Sequence, residues 1–158
     1  MSRSPAKGSG RISIAGLVCY RPGRRSRMLY RVMVHRGRKG EPKGFGEPDF
    51  AALLDADHQQ LKAPIALVWD GLNSHKSAAM RELIAARPWL RVYQLPAHAP
   101  DLNPTENVWT DLRRSPANIA YGTAAELARK AKTRLKRTQY RHHLVDELDP
   151  FPRTVRVW

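Results

Sequence analysis

The chain has 158 residues, 42% of them hydrophobic, enough for one domain with a single core. Twenty-eight Lys and Arg against 14 Asp and Glu give a net charge of +14 and a pI near 10.7, which points to a polyanionic partner, although an Arg-rich solvated surface gives the same totals. No apolar run approaches the roughly 18 residues of a membrane span, the N-terminus lacks a signal-peptide core, and the single Cys19 excludes a disulfide framework or a Cys-based metal site within one chain. A soluble protein of the cytoplasm is expected.

Residues 1–10 are small, polar and basic, and read as a disordered arm. Residues 11–20 (RISIAGLVCY) and 28–35 (MLYRVMVH) read as two strands of a hairpin around a turn at 21–24, with Met28, Tyr30, Val32 and Val34 on one face. Cys19 is expected to be buried as a small apolar residue. Residues 36–46 carry four glycines and a proline, so they form a basic loop. A helix is predicted over 48–62, with Phe50, Leu53, Leu54 and Leu61 at helical spacing and Asp49, Asp55 and Asp57 on other faces. Its acidity makes it the segment least suited to a polyanion.

Residues 65–69 are continuously apolar and β-rich, which predicts a strand buried on both faces, with Asp70 at its carboxyl end. Ser74 is the predicted N-cap of a helix reaching Ala86, stopped by Pro88 and buried through Met80, Leu83, Ile84 and Trp89. A second strand is predicted over 90–95. After a Pro-rich loop, a helix opens at Asn103-Pro104 and runs to Arg114, with Glu106 in its first turn and Val108, Trp109 and Leu112 inward. Thr123 and Glu126 signal a capping box for a last helix to about Arg137, with Leu127, Ala131 and Leu135 as its stripe. Residues 141–158 read as irregular.

Thirty-five residues separate Asp70 from Glu106, and strand, helix, strand and loop fit in that interval as one right-handed crossover. The carboxyl edge of such strands is where ligands gather in open α/β sheets. Each residue also has a plainer reading. Asn103, Pro104 and Glu106 are what any helix start needs, Asp70 suits a turn before Gly71, and His75 suits a solvated helix start.

The segment PDLNPTENVW at 100–109, together with Asp70, Asn73 and His75, resembles the DDE transposases, in particular the bacterial insertion-sequence relatives of the mariner group. The resemblance covers roughly residues 11–141, a partial endonuclease domain, and leaves 142–158 as a tail. It implies a ribonuclease-H-like α/β fold, a mixed sheet with flanking helices in strand order 3-2-1-4-5, where the hairpin stands for strands two and three and residues 65–70 and 90–95 for strands four and five. The central first strand, its Asp and the N-terminal helix-turn-helix have no counterpart here, and Asp49, Asp55 and Asp57 are no replacement because they lie on a helix. Gly71 stands where relatives commonly have Asn, and Ala97-His98 where they commonly have Pro-Tyr, which puts an imidazole near the site.

What the resemblance implies chemically is phosphodiester cleavage and strand transfer with two Mg²⁺ or Mn²⁺ ions, held in part by Asp70 and Glu106, with Asn73, His75, His98 and Asn103 adjacent. Residues 1–46 hold 12 basic residues and one acidic, and 119–158 hold nine and four, so positive charge flanks the site. Arg129, Lys130, Lys132, Arg134, Lys136 and Arg137 on the last helix are the expected DNA contacts. The implied partners are DNA and an upstream fragment that supplies the missing strand and Asp. The alternative is a catalytically inactive remnant that binds DNA non-specifically.

Overall fold

Period-two patterning over residues 11–35, then helical patterning interrupted by the short strand runs at 65–69 and 90–94, gives an α/β chain, and the computed structural model describes residues 11–21, 23–69, 73–96, 104–114 and 123–146. Strands β1 (Arg11–Cys19) and β2 (Arg27–His35) pair antiparallel in the register Arg11↔His35 to Cys19↔Arg27. Alternation sends Met28, Tyr30, Val32, Ile14 and Val18 to one face, and Ala15, Leu17, Cys19 and Leu29 to the other. Both faces are covered.

Helix α1 (Glu47–Leu61) begins where the Asp49 carboxylate accepts the Gly46 N–H at 2.8 Å, and ends at Lys62 in the left-handed conformation with φ 50°. It packs on the hairpin through Leu53 and on the second sheet through Leu54, with Phe50 touching both clusters. Asp57 is not on an outer face as expected. It is 1% exposed, because it lies three and four residues beyond Leu54 and Leu53 and so falls in the same buried stripe.

Strands β3 (Ile65–Trp69) and β4 (Leu90–Gln94) pair in parallel, Ile65↔Leu90 to Trp69↔Gln94, as the expected crossover requires. The expectation of burial on both faces fails. Leu67 and Trp69 are buried against Leu54, Met80 and Leu90, whereas the register partners Val68 and Tyr93 on the other face are 50% and 48% exposed. Among the described residues the helices around β3 cover one side. Among the described residues the four strands form two separate two-stranded sheets and not one continuous sheet.

The helix predicted from Ser74 is split into α2 (Asn73–Lys76) and α3 (Ala78–Ala85), and the cap is Ser77, whose hydroxyl accepts the Met80 N–H at 3.1 Å. Met80, Leu83, Ile84 and Trp89 pack as predicted. Helix α4 (Pro104–Arg114) places Val108, Trp109 and Leu112 on the hairpin. Helix α5 (Ala124–Tyr140) is capped by Thr123, whose hydroxyl accepts the Glu126 N–H at 3.2 Å, and buries Ala124, Ala128, Ala131 and Leu135. The chain is not irregular directly after residue 141. Helix α6 (His142–Asp146) follows, and its Val145 is fully buried beside Met28 and Leu135. That one apolar side chain, the Tyr20 hydroxyl donating to the Val145 carbonyl at 3.1 Å and the Ser26 hydroxyl donating to the Asp146 carboxylate hold it there, signals too small for periodicity to reveal.

Candidate active site

Strands β3 and β4 end level with one another, and the Leu95 N–H donates to the Trp69 carbonyl at 2.8 Å just beyond the last paired residues. Asp70 follows Trp69 directly in sequence but, like His98 and Asn103, lies outside the described residues. Asn73 opens α2, and nothing is described of its side chain.

His75 is not a solvated helix-start residue. It is 9% exposed, stacked on Trp69 with ring centroids 4.1 Å apart at 6°, and set edge-on to Phe50 at 5.0 Å and 81°. The imidazole therefore joins α2 to the end of β3 and to the start of α1, one ring stacked on it and one edge-on to it. The neighbouring Trp69 indole N–H is buried with no hydrogen-bond partner among the described residues.

Glu106 is half-buried in the first turn of α4, where the positive end of the helix dipole favours an anion. The helix is fixed by a close approach. A Cβ built on Gly16 of β1 would lie 2.8 Å from Cη2 and 3.1 Å from Cζ2 of Trp109, so the indole rests on bare strand backbone. Glu106 sits one turn before that anchor.

Of the cations on α5, Arg129, Lys130, Lys132, Lys136 and Arg137 are exposed and Arg134 is half-buried. The helix is held to β2 by Gln139, which donates to the Met28 carbonyl at 2.8 Å, and by the Tyr30 hydroxyl, which donates to the Lys132 carbonyl at 3.5 Å. The Lys136 ammonium lies 5.8 Å from the Tyr140 ring centroid. These side chains make one positive outer face.

Sequence reading missed a pair in the interior. The Cys19 thiol donates to both Asp57 oxygens, at 3.2 and 3.3 Å, and burial pushes up both the thiol and the carboxyl, the thiol further raised by the Asp57 charge. Cys19 is thus more than a small apolar filler. The position of Asp57 in the Leu53 and Leu54 stripe was the available signal.

Residues 5–128 match the family model described as DDE superfamily endonuclease. A search of individually characterised proteins found no match. The α/β architecture, with small sheets and flanking helices, is consistent with the ribonuclease-H-like domain of that family. Its members are typically dependent on a divalent metal and act on DNA. By type, the donors fit a hard cation: Glu106 and Asp70 are carboxylates, and the only thiol, Cys19, is engaged by Asp57. Among the described residues, which do not include Asp70 or His98, no group of three or more His, Cys, Asp or Glu able to hold a metal occurs.

Proposed function

The chain belongs to the DDE superfamily endonucleases, and from that premise we propose that it carries part of the active centre of a DNA transposase, from a bacterial insertion sequence related to the mariner group. The observation that carries this finer reading is the segment PDLNPTENVW, whose Glu106 stands in the first turn of a helix anchored on the hairpin by Trp109. Such a protein works in the cytoplasm, on the nucleoid when bound to DNA. No helix among the described residues is long and apolar enough to cross a membrane.

In this reading Asp70 and Glu106 hold the metal, and the α5 cations hold DNA by its phosphates. Held there, Mg²⁺ or Mn²⁺ would supply the Lewis acidity that lowers the pKa of water or a 3′-hydroxyl and offsets charge on the leaving oxygen. Among the described residues neither strand of the hairpin ends in a third carboxylate: Tyr20 and Arg36 follow β1 and β2, and Asp49, Asp55 and Asp57 belong to α1. We infer that a further segment, an apolar strand ending in Asp, pairs between β1 and β3 and completes the centre. The second reading, a catalytically inactive remnant that only binds DNA, is favoured by the division of the described strands into two sheets.

A nicking assay with Mg²⁺ and supercoiled DNA separates them. The expected result is no nicking by the 158-residue chain alone, nicking when the completing segment is added, and loss of it on Asp70→Ala or Glu106→Ala. Continued inactivity with that segment folded in place favours the remnant. Robust nicking by the chain alone that Asp70→Ala abolishes would overturn the need for completion.

A further inference from the structure

At the end of the hairpin away from its turn, Arg11 stands opposite His35, and the loop to α1 leaves β2. The loop is wound around its own acid. The Glu41 carboxylate accepts the N–H groups of Arg36 at 2.8 and 3.0 Å, of Gly37 at 2.9 Å and of Arg38 at 3.3 Å. Gly37 and Gly40, at φ 73° and 82°, allow the chain to turn this tightly. Consecutive amides converging on one anion form a nest, and they hold the Glu41 carboxyl below its usual range, the Arg36 N–H foremost. The acid is thus committed to backbone rather than to the cations beside it.

Those cations border an open cleft of about 280 Å³ lined by Arg11, His35, Arg38, Lys43 and the Glu41 turn. Its wall is fixed at two points. The Arg11 guanidinium donates to the Lys43 carbonyl, and His35, 4% exposed, has Nε2 2.8 Å from the Ser13 hydroxyl. Arg11, Arg38 and Lys43 are exposed, and among the described residues none of the three forms a salt bridge. Two guanidinium forks and an ammonium, approaching from β1 and from both limbs of the loop, suit an anion with several oxygens pointing in different directions.

We propose that this cleft is a phosphate-binding site that takes one phosphodiester of a nucleic-acid backbone through Arg11, Arg38 and Lys43, at a place separate from the α5 cations. The inference rests on DNA being the substrate. It adds a second anchor at the opposite end of β2 from the segment around Met28 that α5 holds through Gln139. Glu41 acts as a positioning residue: its carboxylate, taken up by the Arg36, Gly37 and Arg38 N–H groups, shapes the loop that carries Arg38 and Lys43 at the cleft.

The test compares two variants of the full chain that lose equal charge from exposed sites, Arg38→Gln/Lys43→Gln in the cleft and Arg24→Gln/Arg25→Gln beside the hairpin turn. Binding to a fluorescent duplex is followed by anisotropy across a salt series, with circular dichroism to confirm folding. The cleft pair should reduce the slope of log affinity against log salt by about one, the value for one lost phosphate contact, and the turn pair should leave it unchanged. Restoring charge with Arg38→Lys/Lys43→Arg should restore the slope. Amide shifts give the location: those of Gly37, Arg38 and Lys43 should move with duplex. Movement with millimolar inorganic phosphate as well identifies the phosphoryl group itself as the ligand, and movement with duplex alone identifies the diester. Equal effects of the two pairs, or still amides in the cleft while those of α5 move, would overturn the site and leave the DNA reading standing. Absence of any duplex binding by the wild-type chain would overturn both.

Discussion

The contact between Trp109 and Gly16 sets the position of the helix that carries Glu106, and adding one methyl group tests it. In Gly16→Ala the new Cβ would meet Cη2 of Trp109 at 2.8 Å and Cζ2 at 3.1 Å, so the ring or the strand has to move. Two effects oppose each other. Gly16 is not among the positive-φ glycines, so alanine fits its backbone and would stabilise a strand by about 0.5–1 kcal/mol through lost unfolded-state freedom. Overpacking a filled interface costs about 1–3 kcal/mol. The clash is the larger, and the net expectation is a loss of about 0.5–2 kcal/mol, measured by urea denaturation followed by circular dichroism. Trp109→Phe removes the atoms that clash and leaves room for the methyl group. In that background Gly16→Ala should cost nothing or stabilise, giving a coupling of at least about 1 kcal/mol in the double-mutant cycle. The same cost in both backgrounds, or a stabilised single variant, would refute the close approach as the anchor of α4.

Three further outcomes follow from the interior. Asp57 has a raised folded pKa, chiefly through burial, so the folded state keeps its proton longer than the unfolded chain and stability falls as pH rises from the usual carboxylate range through the raised value; Asp57→Asn should flatten that fall and be more stable than wild type at neutral pH, and parallel pH–stability curves for the two would refute it. Asp55 shows the opposite sign, since Arg87, bound to its two oxygens at 2.6 and 2.7 Å, holds it low; Asp55→Asn should cost about 1 kcal/mol or less at neutral pH, the carboxylate being partly exposed, and the difference should vanish as acid protonates the wild-type carboxylate. Val145→Ala should cost about 1–3 kcal/mol in denaturant titration despite its place near the end of the described chain, because the side chain is fully buried; a neutral result would remove α6 from the core.

Strong periodicity and named caps were legible in the sequence, and isolated contacts were not. The hairpin, α1, the parallel pair, α4 and α5 fall where alternation, the Leu53 and Leu54 stripe and Thr123 put them, to within a few residues. The divided helix at 73–85 was missed because Ser74 and Ser77 are equally good caps, and only the structure reveals that the Ser77 hydroxyl meets the Met80 N–H. Val68 was misjudged because an apolar run does not say how many layers will cover it. His75 was misjudged for the opposite reason, since a polar name at a helix start hid a ring that stacks on Trp69. Of the candidate centre, Asp70 and Glu106 come from the resemblance carried by PDLNPTENVW, their spacing being only compatible with it, and the structure describes the anchoring of the helix that carries Glu106.

The two candidate carboxylates belong to different parts of the fold. Glu106 travels with the hairpin, because Val108, Trp109 and Leu112 bind α4 to β1 and β2. Asp70 is covalently tied to Trp69, whose ring is packed with Leu67, Met80 and Leu90 and stacked by His75. Among the described residues no strand pairing joins these parts, so the connection between them is made by apolar side chains: Leu17 of β1 and Phe50 of α1 against both clusters, with Leu53 on the hairpin side, Leu54 on the β3 side and Phe50 also against His75. Apolar contacts of this kind hold two bodies together but define their angle less sharply than a ladder of backbone hydrogen bonds, which fixes register residue by residue. A strand paired on both β1 and β3 would supply that ladder. The same event that brings a third carboxylate would then lock the first two at one distance, and so the assembly of the sheet and the assembly of the metal centre become one step.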